Sequence, residues 1–173
     1  MTPGISIVVS TKGRPTLMRT LHSIVSQMGP GDQLILDRNN DHPQGHRGHN
    51  RQMENLTGDV LIGIADDDYF VPGAFDLIRE RYAEAPDRIH VFRMKYSDGT
   101  SLWAAKAFVC GNVSPSMTVT PIGPWLGRFG MQYNGDFDFL AETLEGLPNK
   151  EIVWHEDILQ IIELPPCRGG VEH

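Results

Sequence analysis

Apolar residues fall in short blocks separated by Gly, Pro, Asn and Asp, and the blocks switch between a strand period and a helix period. Ile5-Ser6-Ile7-Val8-Val9-Ser10 is rich in β-branched residues and reads as a strand that stops at Thr11-Lys12-Gly13-Arg14-Pro15, where glycine and proline break it. Pro15 suits a first helical position, and Leu17, Met18, Leu21, Ile24, Val25 and Met28 recur on one helical face until Gly29-Pro30-Gly31. Gln33-Leu34-Ile35-Leu36-Asp37 reads as a second, buried strand. Strand, helix and strand make a βαβ unit, whose ligand sites lie at the carboxyl ends of its strands, and Thr11 and Asp37 sit at two such ends.

The pattern continues in the same alternation. Asn39-Asn40-Asp41-His42-Pro43 is a turn signal, a helix is expected from about Gly45 to Leu56, and Thr57-Gly58-Asp59 breaks it. Val60-Leu61-Ile62-Gly63-Ile64-Ala65 forms a third strand that ends directly in Asp66-Asp67-Asp68. Pro72 opens a helix with Phe75, Ile78 and Tyr82 facing inward, Ile89 to Met94 returns as a strand, and Tyr96 to Thr100 carries a hairpin signal leading to Leu102-Trp103-Ala104-Ala105. The stretch 111–135 reads as loops and short edge strands. A last helix is expected from about Asp136 to Leu147, with Phe137, Leu140, Ala141 and Leu144 as its buried stripe, and 165–173 as a tail.

Length and composition narrow the class. At 173 residues with 40% apolar and 21% charged residues, one compact α/β domain is expected. The net charge of −7 opposes sequence-blind attraction to phosphate backbones or anionic membranes, and it is unevenly spread. Residues 1–65 hold six basic and five acidic side chains, whereas 66–173 hold nine and seventeen, so a site for an anionic ligand should draw on the first third. Two widely spaced cysteines, Cys110 and Cys167, suggest neither a disulfide framework nor a structural zinc site. No apolar run is long enough to span a membrane and the start lacks a signal-peptide pattern, so a soluble, cytoplasmic, unprocessed protein is expected.

The acidic triplet is the strongest chemical signal. Adjacent carboxylates repel unless positive charge sits among them, and hard oxygen ligands favour Mg²⁺ or Mn²⁺ sharing coordination with a phosphate group. A solvated acidic turn is the plain alternative. A diphosphate also needs cations, and Lys12, Arg14, Arg38, Arg47 and Arg51 all lie in the less acidic first third. Arg47, Asn50, Arg51 and Glu54 are spaced to share one helical face.

Taken in order, the opening strand and loop, Gly48-His49-Asn50-Arg51-Gln52, Thr57-Gly58-Asp59 and Asp66-Asp67-Asp68 resemble the family 2 glycosyltransferases of the GT-A fold, over roughly residues 4–94. The resemblance implies a GT-A, Rossmann-like sheet and a metal-dependent transferase that uses a nucleotide-diphosphate sugar, most simply a UDP-sugar. It places Thr11 and Arg14 at the nucleotide, Asp37 at the base, Arg47 and Asn50 at the nucleotide or sugar, Asp66 with Asp67 on the donor, and Asp68 on Mn²⁺ or Mg²⁺. It divides the chain into a donor half, 1–94, and an acceptor and catalytic half, 95–164. It also points to His155, in Val153-Trp154-His155-Glu156-Asp157, as a further metal ligand.

An inverting transfer needs a carboxylate to take the acceptor's proton. Gly135-Asp136-Phe137-Asp138 resembles the family's acidic catalytic segment, but Phe137 splits the pair, so Asp136 or Asp138 is the base; either also suits a helix N-terminus with no catalytic role. Trp103, Trp125 and Tyr133 are aromatic platforms for an acceptor, with Trp125 the leading one, or else core residues. His42, His46 and His49 lack a recognised zinc spacing. The acceptor stays open among a glycan, a small molecule and a hydroxylated DNA base, and a second subunit completing the site is an option. Nucleotidyl transfer and a non-catalytic nucleotide-sugar-binding module are the competing functions.

Overall fold

The computed structural model describes residues 2–38 and 46–163. The turn at 39–43 with His42, the first residue of the expected second helix, Cys167 and the tail lie outside the described residues.

Among the described residues, eight strands form one mixed sheet. They are β1 (Ile5–Thr11), β2 (Gln33–Arg38), β3 (Val60–Ala65), β4 (Tyr69–Phe70), β5 (Ile89–Tyr96), β6 (Ser101–Leu102), β7 (Thr118–Pro121) and β8 (Ile152–Ile162). Their order is β2-β1-β3-β7-β5-β8-β4, with β6 pairing β5. β1, β2, β3, β5 and β8 run one way, whereas β4, β6 and β7 run against their neighbours. The helices are α1 (Leu17–Val25), α2 (His46–Gln52), α3 (Ala74–Glu84) and α4 (Gly135–Gly146), and a 3₁₀ turn, Met53–Asn55, follows α2.

Strand alternation divides the core in two. Ile5, Ile7 and Val9 of β1 and Val60, Ile62 and Ile64 of β3 pack with Ile24 of α1 and with Phe75 and Ile78 of α3. The opposite faces, through Val8 and Leu61, pack with Ile89 and Val91 and with Phe139 and Leu140 of α4. The Gly58-Asp59 turn anchors the start of β1. The Asp59 carboxylate accepts from Gly4 N–H at 2.7 Å, the Asp59 N–H donates to Gly4 O at 2.7 Å, and a Cβ on Gly58 would lie 2.8 Å from Gly4 O and Ser6 N.

Several sequence expectations change. α1 starts at Leu17, two residues after Pro15, and Met18 and Val25, expected on its buried face, are 72% and 58% exposed because Thr20 and Ile24 face the sheet instead. β2 is an edge strand, which leaves Leu36 half exposed. Within 111–135, β7 is no edge strand: it is wholly buried between β3 and β5 and joins the two halves of the sheet. The buried residues of α4 are Gly135, Phe139, Leu140 and Thr143, with Phe137 and Leu144 only partly covered, because the helix meets the sheet rotated from the expected stripe. β8 runs on both sides of His155-Glu156-Asp157, where its register against β5 shifts, so that segment sits inside a strand. No described helix is long and apolar enough to cross a membrane.

Because the space at Gly58 is bounded by backbone that cannot yield, Gly58→Ala is expected to destabilise the protein by about 1–3 kcal/mol, read as a lowered urea midpoint.

Candidate functional site

Parallel pairing of β1 and β3 sets the loop 12–16 beside the acidic triplet at the carboxyl ends of the strands. Asp66 is fully buried and is the centre of this junction. Its carboxylate accepts from Thr11 Oγ1 at 2.7 Å, Lys12 N–H at 2.8 Å, Arg14 N–H at 3.2 Å and the Arg14 guanidinium at 2.6 Å. Burial alone would push Asp66 up, but these bonds and the guanidinium together hold its carboxyl below the usual carboxylate range. Gly13, at φ +76°, gives the left-handed turn that aims these N–H groups at one carboxylate, and its own N–H donates to Thr11 Oγ1.

The other two aspartates differ. Asp67 is partly exposed, ion-pairs Arg14 at 2.9 Å, and its backbone carbonyl accepts from Arg19 at 2.8 Å. Asp68 is 6% exposed; its carbonyl accepts from Thr20 Oγ1 at 2.6 Å and its carboxylate from Glu163 N–H at 3.1 Å. Burial, helped by the neighbouring Asp67 charge, pushes Asp68 up to about 7. Among the described residues no three His, Cys, Asp or Glu side chains converge on one point. Asp67 and Asp68 are adjacent carboxylates at the strand end, and ions of the Mg²⁺ type are commonly held by one or two carboxylates with phosphate oxygens completing the shell.

The remaining predicted residues are dispersed unequally. Asp37, the penultimate residue of β2, pairs with Ser10 of β1, is 2% exposed, and its carboxylate lies against Gly48 of α2, where any Cβ would overlap it. Arg47 is exposed on α2. Asn50 is committed to the fold, because its amide donates to Phe129 O at 2.9 Å and accepts from Phe129 N–H at 2.8 Å. Asp136, in the first turn of α4, lines a cavity of about 540 Å³ on the α4 side of the sheet; Asp138 is outside that lining and accepts from Gln132.

Two expectations fail on geometry. His155 does not reach Asp68: it lies eight residues before Glu163, which follows β8, roughly 26 Å away at strand rise, and is packed 4.4 Å from the Phe92 ring. Its Nε2 is 2.9 Å from Nδ1 of His90, whose Nε2 meets Ala85 O, and burial with the adjacent His90 holds His155 down at about 4. Trp125 is no platform at the cavity. Its indole N–H donates to Pro121 O, its ring covers Gly123, and it packs against the α4-side core. Trp103 is buried in that core as well, whereas Tyr133 lines the cavity.

Two residues that the sequence did not single out, Arg19 and Thr20, and two histidines weighed there only as zinc ligands, complete the region. Thr20 and Arg19 hold the backbone of Asp68 and Asp67, and Arg19 also pairs Glu163 at 2.7 Å. His46 and His49 both line the cavity. His46 meets Gly130 O at 2.6 Å, and His49 lies 4.9 Å from the Phe129 ring, with burial and the nearby His46 lowering it to about 4. Their helical spacing was visible; their partner, Phe129, is remote in sequence.

No protein-family model and no curated protein sequence matches the chain. Solved structures do. Staphylococcus aureus TarS aligns over 94% of this chain at 13% identity with a TM-score of 0.68. TarS 1–349 in complex with UDP-GlcNAc aligns over 94% at 13% identity and 0.69, and TarS 1–349 in complex with UDP over 94% at 13% and 0.64. The chain spans 37% of the length of the first and about 60% of the other two. At this identity the likeness defines the fold, which is of the GT-A type.

The Asp68 shift has a consequence for stability. A carboxyl raised in the folded state costs nothing below about pH 4, where it is protonated in both states, and its penalty grows as pH rises towards about 7. In chelator-treated protein, Asp68→Asn is therefore expected to be more stable than the parent above pH 7, by on the order of 4 kcal/mol at most, with the difference shrinking as pH falls to 4. Urea midpoints measured across that range check it.

Proposed function

We propose that the chain transfers a sugar from a nucleotide-diphosphate sugar, most simply a UDP-sugar, to an acceptor hydroxyl, with Mg²⁺ or Mn²⁺ and with inversion. The observation that carries this reading is the juxtaposition at the strand ends: a cation-and-carboxylate loop on one side, and on the other a cavity with Asp136 in its wall. The binding of UDP and UDP-GlcNAc by structures of the same fold supports the choice of donor.

In this reading the Arg14 and Arg47 guanidiniums face the nucleotide and its phosphates, with Thr11 and Asp66 holding the 12–16 loop and Asp37 placed for the base. Asp66 keeps that loop in shape, and Asp67 and Asp68 present oxygens to the metal. A bound Mg²⁺ or Mn²⁺ offsets the charge that develops on the departing diphosphate. Asp136 accepts the proton of the acceptor hydroxyl as its oxygen forms a bond to the anomeric carbon. The bond from that carbon to the diphosphate oxygen breaks with its electron pair, and free nucleoside diphosphate leaves. Asp138 is the less suited base, because it faces Gln132 and the Gly130 turn and not the cavity.

Incubation with Mn²⁺ and a panel of UDP-, GDP- and dTDP-sugars is expected to release UDP, and EDTA to stop the release. Asp68→Ala, shown to be folded by circular dichroism, should weaken metal-dependent UDP binding at least tenfold. Asp136→Asn should keep UDP affinity but lose about 10²–10⁴-fold in turnover. Formation of pyrophosphate from NTP and a sugar phosphate would overturn the reading in favour of nucleotidyl transfer, and metal-dependent UDP binding without any turnover would reduce the protein to a binding module.

A further inference from the structure

Phe129 is buried in a segment that is neither helix nor strand, so its main-chain groups need partners from elsewhere. One side chain of α2 supplies both. The Asn50 carboxamide donates to Phe129 O at 2.9 Å and accepts from Phe129 N–H at 2.8 Å, as a neighbouring strand would. One turn earlier, His46 Nδ1 lies 2.6 Å from Gly130 O, and because a carbonyl only accepts, Nδ1 carries the hydrogen. The spacing of four residues puts His46 and Asn50 on one helical face, and the Arg128 guanidinium returns a bond to Asn50 O at 2.9 Å. The helix is itself seated on the sheet, since Gly48 lets it lie against the Asp37 carboxylate at the end of β2.

The clamped segment leads directly to α4. Gly130 N–H donates to Gly135 O at 3.0 Å, and Gly135 N–H donates to Gln132 O at 3.0 Å, so the turn between them is closed at both ends. A Cβ on Gly135 would overlap Gly130 O and His46 Nδ1, which puts the first residue of α4 in contact with the clamp itself. Asp136 is the next residue and stands in the cavity wall. The Phe129 ring adds a second link, stacked 4.4 Å from Phe139 one turn further along α4. We propose that His46 and Asn50 are positioning residues for Asp136: through the main chain of Phe129 and Gly130 they fix the start of α4, and so the place of its carboxylate. The role of that carboxylate rests on the transferase reading above; the link from α2 to α4 rests on the bonds alone. Proton transfer needs the carboxylate within hydrogen-bond reach of the acceptor hydroxyl, and a displacement of about 1 Å costs on the order of 10²-fold in rate.

Four variants of the full chain separate positioning from mere support of the fold. Asn50→Ala removes both bonds to Phe129, and Asn50→Asp keeps the acceptor. His46→Phe keeps a ring and removes the N–H donor, whereas His46→Asn returns an N–H near the place of Nδ1. Amide hydrogen exchange of residues 135–138, followed by NMR, is expected to quicken at least tenfold in Asn50→Ala and His46→Phe, while the amides of β1 and β3 keep the parent's rates. His46→Asn should stay close to the parent, and Asn50→Asp, which serves if Asn50→Ala does not fold, should fall between. With Mn²⁺ and the UDP-sugar that the parent turns over, Asn50→Ala and His46→Phe should lose about 10–10²-fold in turnover and keep UDP affinity within about twofold. Added to Asp136→Asn, either substitution should cost no further turnover, because all act through one carboxylate. Faster exchange confined to 129–130, a full additional loss in the Asp136→Asn background, or a loss of UDP affinity matching the loss of turnover would overturn the proposal. The two readings fail separately. Faster exchange through residue 138 in a protein that releases no nucleotide from any donor overturns the catalytic role of Asp136 and supports the link from α2 to α4, and turnover at the parent's rate in both Asn50→Ala and His46→Phe overturns the positioning role alone.

Discussion

The strand-end side of the structure depends on one buried carboxylate. Asp66 follows β3 directly, faces the loop after β1, and gathers a hydroxyl, two backbone N–H groups and a guanidinium onto two oxygens. A buried anion is costly unless it is saturated in this way, and saturation fixes the 12–16 loop as firmly as a strand pairing would. The arrangement exists because β1 and β3 are parallel neighbours: parallel pairing brings two carboxyl ends, and hence two loops, to the same edge. Asp67 and Asp68 inherit their positions from it, one turned towards Arg14 and solvent, the other tucked under Thr20 and Glu163.

The sheet then separates two kinds of chemistry. Charge is concentrated in the loops at the strand ends, where Arg14, Arg19, Asp67 and Glu163 pair with one another. The α4 side carries an almost uncharged cavity with Asp136 in its wall. The strand ends thus carry paired charge, and the α4 face carries a single carboxylate in a wall that holds no lysine or arginine among the described residues. The two halves are also physically one body, since β7 joins β3 to β5 and β8 pairs with both β5 and β4.

The locally encoded elements were legible because each is bounded by its own punctuation. β1, β3, α3 and the hairpin before β6 have apolar runs with glycine, proline or Asp-rich ends, and the structure contains all of them. β7 and β8 were not, for different reasons. Thr118 to Pro121 is too short and polar to stand out, and is buried only because β3 and β5 enclose it. β8 is interrupted by the register shift around His155, which disrupts the two-residue alternation that marks a strand. Met18 and Val25 show the limit of helical periodicity: it defines a face to within a residue or two, and packing against the sheet decides which edge of that face is covered.

By itself the sequence determined an α/β chain of about one domain, acidic overall, with an Asp-rich loop at a strand end and basic residues near it. Those properties are local, set by residue type and spacing. Tertiary structure alone decided the division of labour: Asp66 as loop staple and Asp68 as the raised carboxyl, Asn50 as a backbone clamp on Phe129, Asp136 at the cavity and Asp138 away from it, His155 with His90 and not with the triplet. Most of these depend on a partner dozens of residues distant. Burial and hydrogen bonding to such partners, and not the side chain's own chemistry, set what a carboxylate or imidazole can do.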